Sequence, residues 1–381
     1  MRRKINYIVY ICALIITILL ITILTVYASA TAKKQTFAYN ISAKSCILYE
    51  PITGQVLYEQ NSNQKLPMAS TTKIMTALVV VDKCNLDEII TIGPESVGVE
   101  GSSAYLREND EYTVLELLYA LLLQSANDAA TALAYYTAGG IEEFSALMNE
   151  KANQLGLENT HFTNPHGLDD KEHYSTAADL AKAGAELLKN ETLKKIVSTY
   201  KINFTYGERT RTYINHNKLL QSFDGSIGIK TGFTKRSGRC LVSAAERNGL
   251  TLIAVTLDAT SDWDEHKKML EYGFDTMEYV LLCQKGDFQS KLKIVGGNKD
   301  EITVSAKDDL FIIKNKDNVK IQKYIKLPRY QIAPIQKGDV IGQVIYKVDK
   351  DVFYIDLIAE ESVFKYNQTF IEKIIKNRNV G

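Results

Sequence analysis

The stretch Lys65–Val80 reads KLPMASTTKIMTALVV and sets Ser70 and Lys73 three residues apart at the head of an apolar run. Pro67 lies just before the predicted helix start. Ile74, Met75, Ala77, Leu78, Val79, Val80 and Val81 leave that helix few faces for solvent, so it is expected at the centre of a fold. The lysine is then either a solvated charge on an ordinary helix or a buried base for the serine one turn before it. Helix positions i and i+3 share a face, which brings the Lys73 amine near Ser70 Oγ. A serine alcohol needs a base to become a nucleophile. A lysine supplies one only where burial and neighbouring cations lower its pKa. The positive end of the helix dipole also favours negative charge developing at Ser70.

Spacing alone does not single out this pair. Ser-x-x-Lys also occurs at Ser62/Lys65, Ser198/Lys201, Ser290/Lys293 and Ser362/Lys365. Only the Ser70 copy opens a long apolar helical run; the others sit in polar, strand-like or terminal contexts.

Around it, Lys44–Glu50 and Gln55–Glu59 are predicted as strands flanking the turn Pro51–Gly54. A helical region follows. Thr113-Val-Leu-Glu116 has the form of a capping box opening Leu117–Gln124. Asp128–Ala138 is predicted to stop at Gly139-Gly140, and Ile141–Leu155, Thr176–Lys189 and Glu191–Thr199 add further helices. Strand patterns return at Tyr200–Tyr206, Arg211–Asn215 and Ser226–Thr231. Asn248-Gly249 between Arg239–Arg247 and Leu250–Ala259 signals a two-residue type I′ hairpin. Trp263–Leu282 is predicted as a helix. Strands bracketing a helical middle predict an α+β fold: one antiparallel sheet, an inserted helical lobe, and a ligand cleft between them.

From Lys285 short alternating runs punctuated by glycine predict a separate small all-β domain. The expected domains are 1–30 (export signal or anchor), 37–282 (catalytic), 285–362 (all-β) and 363–381 (tail). In the tail, Phe364–Lys376 spaces apolar residues among lysines; a weak amphipathic membrane-surface helix and a plain terminal segment both fit.

The 381 residues carry no net charge and no basic stripe, which sets nucleic-acid binding aside. Arg2, Arg3 and Lys4 precede an uncharged stretch Ile5–Val26 and then Ala28-Ser29-Ala30, the layout of a secretory signal. The stretch is also long enough to span a bilayer as an uncleaved anchor, and either reading places the rest outside the cytoplasm. Besides Cys12 in that segment, Cys46, Cys84, Cys240 and Cys283 are widely spaced, which points to free thiols rather than a disulfide framework or a metal site.

Two further short motifs occur once each. Ser125-Ala126-Asn127 falls between two predicted helices, and Lys230-Thr231-Gly232 ends a predicted strand. Ser-x-x-Lys on a buried helix, then Ser-x-Asn, then Lys-Thr-Gly on a strand is the signature of the penicillin-recognising serine acyl-enzymes. The chain resembles that superfamily, and most closely the serine-type D-alanyl-D-alanine carboxypeptidases, the low-molecular-mass penicillin-binding proteins. Gly101-Ser102-Ser103, NTHFTNPHGLDD (Asn159–Asp170), HYSTAADLA (His173–Ala181) and GIKTGFTKRSGRCLVSAAERNG (Gly228–Gly249) extend the resemblance over nearly the whole exported chain.

The resemblance implies a β-lactamase/transpeptidase-like catalytic domain and assigns roles. Ser70 is the expected nucleophile and Lys73 its base. Ser125 and Lys230 relay a proton to the departing amine, and Lys230 helps keep Lys73 neutral. Asn127 bonds the substrate amide, and Thr231 holds the terminal carboxylate. The Ser70 and Phe233 N–H groups form the oxyanion site, and Gly232 lets its strand approach the ligand. The implied substrate is the D-Ala-D-Ala end of peptidoglycan pentapeptides, with β-lactams as covalent inhibitors, membrane association, and no cofactor or metal.

A β-lactamase of the same fold is the second reading. Against it stand Ser-Ala-Asn in place of Ser-Asp-Asn, the lack of a Glu-x-x-x-Asn element in the corresponding loop FTNPHGLDD (Phe162–Asp170), and the trailing β domain. A catalytically weak wall-binding relative is the third; the intact Ser70, Lys73, Ser125 and Lys230 argue against it. His161, His166 and His173 are expected to make structural hydrogen bonds, and Trp263 to be core. His216 falls where some relatives carry a carboxylate-binding arginine, which shifts that task to Thr231 and Lys230.

Overall fold

The computed structural model describes residue 37 and residues 40–206, 209–316, 320–348 and 351–366. The expected signal or anchor at 1–30, Cys12 and most of the expected tail helix lie outside the described residues.

Among the described residues, nine strands belong to the first part of the chain: β1 (Ser45–Glu50), β2 (Gln55–Gln60), β3 (Ile89–Thr91), β4 (Glu111–Thr113), β5 (Lys201–Tyr206), β6 (Arg209–Ile214), β7 (Ser226–Thr234), β8 (Gly238–Arg247) and β9 (Leu250–Ala259). Five form an antiparallel sheet in the order β2-β1-β9-β8-β7; β3/β4 and β5/β6 are separate two-stranded ribbons. The β8–β9 turn is the expected one: Arg247 pairs with Leu250, and both Asn248 (φ 51°) and Gly249 (φ 80°) are left-handed. Leu241–Ala245 and Leu252–Leu257 are buried without alternation, because helices cover both faces of the sheet. Ala177–Lys189 and Asp262–Thr276 pack against β9.

The helical lobe holds Lys73–Lys83, Val114–Leu123, Asn127–Ala138 and Ile141–Gln154. Its core includes Ile74, Leu78, Leu117, Leu121, Leu133 and Phe144, all nearly inaccessible to solvent. Thr113 caps its helix by accepting from Glu116 N at 3.1 Å. The buried Glu116 side chain accepts from Tyr213 Oη at 3.1 Å and faces Arg211, tying the lobe to β6. Gly139 ends its helix at φ 85°, as its position implied.

The expected helix Trp263–Leu282 is corrected. The helix runs Asp262–Thr276, and Met277–Cys283 is a strand, β10. It pairs antiparallel with Leu310–Asn315, and Tyr279 stacks on Phe311 with centroids 4.7 Å apart. The run MEYVLL holds β-formers, and a partner thirty residues downstream decided its state, which a local period does not register.

Beyond β10 come β11 (Ser290–Val295), β12 (Glu301–Ala306), β13 (Leu310–Asn315), β14 (Ile321–Lys326), β15 (Tyr330–Ile332), β16 (Val340–Val348) and β17 (Asp351–Ala359). Six of them form a sheet, β14-β16-β17-β12-β11-β15. The all-β expectation holds there, with β15 not foreseen. At the start of the tail, Val363 and Lys365 form extended bridges to Ile335 and Gly297, so residues 363–366 are not helical. Cys46, Cys84, Cys240 and Cys283 are free thiols. Among the described residues no helix is long and apolar enough to cross a membrane.

Candidate active site

Ser70 sits in a 3₁₀ turn, Ala69–Thr72, that runs straight into the helix Lys73–Lys83. The turn lies against β7: a Cβ on Gly232 would sit 3.0 Å from Ser70 N and 3.1 Å from Ala69 Cβ. Only glycine therefore lets the strand reach the serine backbone this closely. Ala69 itself holds a left-handed φ of 48°, an unfavourable conformation for alanine placed one residue before the serine.

Lys73 is fully buried, which settles the question its neighbours raised. Its Nζ lies 3.0 Å from Ser70 Oγ, 2.7 Å from Asn127 Oδ1 and 2.6 Å from the His166 carbonyl. Asn127 Nδ2 donates to the Glu100 carbonyl at 2.5 Å, which fixes Oδ1 toward the lysine. Burial first, and then the charge of Lys230, hold the Lys73 amine well below the ordinary lysine value, with Asp128 pulling the other way. A neutral amine has two N–H bonds and one lone pair. Asn127 Oδ1 and the His166 carbonyl only accept, so they take the two N–H bonds. The remaining direction, toward Ser70 Oγ, is left for the lone pair. An uncharged Lys73 amine so held can accept a proton from Ser70 Oγ.

Lys230 projects from β7, 1% exposed, and donates to the Thr231 carbonyl at 3.0 Å. Burial pushes its pKa down to about 7. Ser125 occupies the break between two helices with a left-handed φ of 61°. Asn127, at the start of the next helix, is only 4% exposed. With Oδ1 on Lys73 and Nδ2 on Glu100, its side chain is engaged within the protein rather than presented to the cleft.

The cleft holds about 300 Å³. Ser70, Ser125, Thr231, Gly232 and Phe233 line it, so five of the eight expected site residues meet there, with Lys73, Asn127 and Lys230 behind its wall. Four linings were not foreseen: Ser102, Arg239, Asp262 and Trp263. Trp263, expected in the core, lines the cleft from the first turn of its helix. Arg239 donates through Nε (2.9 Å) and Nη2 (2.8 Å) to Asp262 Oδ1. The β7–β8 register, Phe233 opposite Arg239, brings the guanidinium to the cleft. His216 also lines it, with burial and then the Lys230 charge lowering its pKa.

Asp128 was missed for a different reason: it acts on backbone. Its carboxylate accepts from Ala104 N (3.0 Å), Leu106 N (3.1 Å) and Ser103 Oγ (2.6 Å), fixing the loop that carries Ser102.

This geometry agrees with comparisons to known proteins. A family description, D-alanyl-D-alanine carboxypeptidase, matches residues 29–261. The chain belongs to that family. A second description, the C-terminal domain of penicillin-binding protein 5, matches residues 278–365. D-alanyl-D-alanine carboxypeptidase DacF of Bacillus subtilis is 34% identical over 91% of this chain and 92% of its own. D-alanyl-D-alanine carboxypeptidase DacC of Escherichia coli is 33% identical over 88% of each. The crystal structure of penicillin binding protein 5 from Haemophilus influenzae superposes with a TM-score of 0.75 at 31% identity, covering 86% of this chain and 99% of that one. The fold of this carboxypeptidase is therefore transpeptidase-like, with an all-β C-terminal part.

Proposed function

We propose that the enzyme removes the terminal D-alanine of peptidoglycan pentapeptide stems through an ester on Ser70. The observation that carries this reading is the Lys73 amine, fully buried and 3.0 Å from Ser70 Oγ, with its two other directions taken by acceptors. Lys73 takes the hydroxyl proton as Ser70 Oγ attacks the carbonyl carbon of the penultimate D-alanine. The oxyanion sits between the Ser70 and Phe233 N–H groups. When the C–N bond breaks, Ser125 and Lys230 pass a proton to the leaving amine, and water then hydrolyses the ester. Asn127 serves chiefly by holding the lysine, a change from the substrate-binding role expected of it. β-Lactams enter the same path and leave a slowly hydrolysed adduct.

The common class of β-lactamase with Ser-x-x-Lys and Ser-Asp-Asn uses a glutamate beside the ester to activate water. In the loop near Lys73 the group facing the amine is the His166 carbonyl, and Asp169 accepts instead from Thr234 Oγ1 at 2.9 Å. Intact-protein mass spectrometry after penicillin treatment, with peptide mapping, tests the assignment. One adduct on the Ser70 peptide and none in Ser70→Ala is expected; an adduct that survives the substitution sinks the reading. D-Alanine release outpacing penicillin turnover separates carboxypeptidase from β-lactamase.

Arg239 takes the place that sequence gave to Thr231 and Lys230 alone, as a third group for the substrate carboxylate. A charge-assisted hydrogen bond contributes about 1.5–3 kcal/mol. The Arg239 side chain is 44% exposed and already shared with Asp262, so the lower end applies. Arg239→Ala is expected to raise KM for D-Ala-D-Ala peptides roughly tenfold, with little change in kcat. It should leave C-terminally amidated peptides unaffected; an equal loss on both would remove Arg239 from this role.

In this proposal residues 37–276 form the catalytic domain and the strands from Met277 a C-terminal β domain. The basic N-terminus, the apolar stretch Ile5–Val26 and Ala28-Ser29-Ala30 support export and membrane association, placing the enzyme on the outer face of the cell membrane.

A further inference from the structure

The mechanism above asks the Ser70 N–H to meet a developing oxyanion, and the inference drawn here rests on that reading. Ala69 C=O and Ser70 N–H are the two ends of one planar trans peptide unit. Whatever fixes the carbonyl therefore aims the N–H. The carbonyl is fixed from an unexpected direction. Thr72 Oγ1 donates to Ala69 O at 2.7 Å. That uses the only hydroxyl proton, so the 2.8 Å contact between Thr72 Oγ1 and His173 Nε2 has the imidazole N–H donating. His173 Nδ1 in turn accepts the Thr163 backbone N–H at 3.0 Å. The partners thus define one neutral tautomer.

The links run head to tail: Thr163 N–H to His173, His173 N–H to Thr72, and Thr72 O–H to the Ala69 carbonyl, the far end of the peptide unit that carries Ser70 N–H. Each donates toward the same end, and aligned hydrogen bonds polarise one another. The chain is dry. Thr72 is fully buried and His173 is 3% exposed. A Cβ on Gly167 would sit 2.0 Å from Ala69 O and 2.9 Å from Thr72 Oγ1, so that residue's backbone seals the carbonyl. Burial holds His173 near a pKa of about 4, which keeps the tautomer neutral at working pH.

We propose that Thr72 and His173 are positioning residues that aim and polarise the Ser70 N–H for the oxyanion. Neither touches substrate. A structural role alone would lower stability and affect ligands alike; this role acts on the tetrahedral state.

The test compares Thr72→Val, which keeps shape but cannot donate, with Thr72→Ser, which can. Thr72→Val is expected to lower kcat for a D-Ala-D-Ala peptide about tenfold, less than the roughly 10²–10³-fold loss of an oxyanion donor itself. KM should stay within about twofold. A boronic-acid analogue of D-Ala-D-Ala, which forms a tetrahedral adduct on the serine, should bind weaker by the same factor. Thr72→Ser should restore both. Should Thr72→Val not fold, His173→Phe, which keeps a ring against Phe162, is expected to show the same selective loss. Unchanged kcat and boronate affinity in a folded variant overturn the inference, as does an equal loss in Thr72→Ser. Penicillin adduct formation on Ser70→Ala would instead overturn the acyl-enzyme reading, so the two failures are distinct.

Discussion

Lys73→Met is expected to slow acylation of Ser70 by roughly 10⁴-fold or more, both by peptide substrates and by penicillin, in line with removal of the base from other serine acyl-enzymes. Methionine matches the length of the stem without carrying charge into a fully buried position, which arginine would do. Asn127 Oδ1 and the His166 carbonyl each lose a donor, at about 1–3 kcal/mol apiece. Relief from burying a titratable amine offsets part of this. Stopped-flow acylation with a chromogenic β-lactam reads the rate; a loss below about tenfold would move the base elsewhere.

The same substitution changes how stability depends on pH. Burial favours the uncharged amine of both lysines, so the native state binds fewer protons than the unfolded chain between its lowered pKa values and the ordinary 10.5. Stability therefore rises with pH across that window, which for Lys230 opens at about 7. Lys73→Met removes one of the two contributions. The gain in urea midpoint between about pH 7 and about pH 9.5 should shrink accordingly.

Gly167→Ala is the second large effect. Gly167 has φ 89°, a region that costs alanine about 1–2 kcal/mol, and the new Cβ would stand 2.0 Å from Ala69 O. Backbone must move, at about 1–3 kcal/mol more, and the moving part is the peptide that carries the Ser70 N–H. A combined loss of about 3 kcal/mol in stability and roughly 10²-fold in acylation is expected. Gly156→Ala is the matched control: φ is 66°, but nothing lies within 4 Å of its Cβ. It should lose only about 1 kcal/mol and no activity. Equal acylation losses in the two variants would show that the Gly167 contact is unimportant.

What was legible in sequence follows from what a side chain announces. The roles proposed for Ser70, Lys73, Ser125 and Lys230 belong to their own functional groups, and the apolar run after Lys73 gave its burial directly. The helix break at Ser125 and the Asn248-Gly249 hairpin were readable because backbone conformation there depends on local residues. The His166 carbonyl on Lys73 and the Ala69 carbonyl under Thr72 were invisible, since every residue carries a carbonyl. Arg239 and Asp262 needed the register of two strands and the start of a helix to meet. Met277–Cys283 failed for the same reason: its state was settled by a distant strand.

The order of the central sheet has a consequence in time. β1 pairs with β9, Ile47 against Val255, so the first strand finds its inner neighbour only after some two hundred residues have followed it. The helical lobe that presents Ser70 is built from nearby segments, whereas Lys230 arrives on β7. Local contacts form early and distant pairings late. A chain that folds from its N-terminus therefore forms the segment bearing Ser70 well before the strand packed against it. The turn that carries Ser70 therefore gains its wall, β7, late in folding.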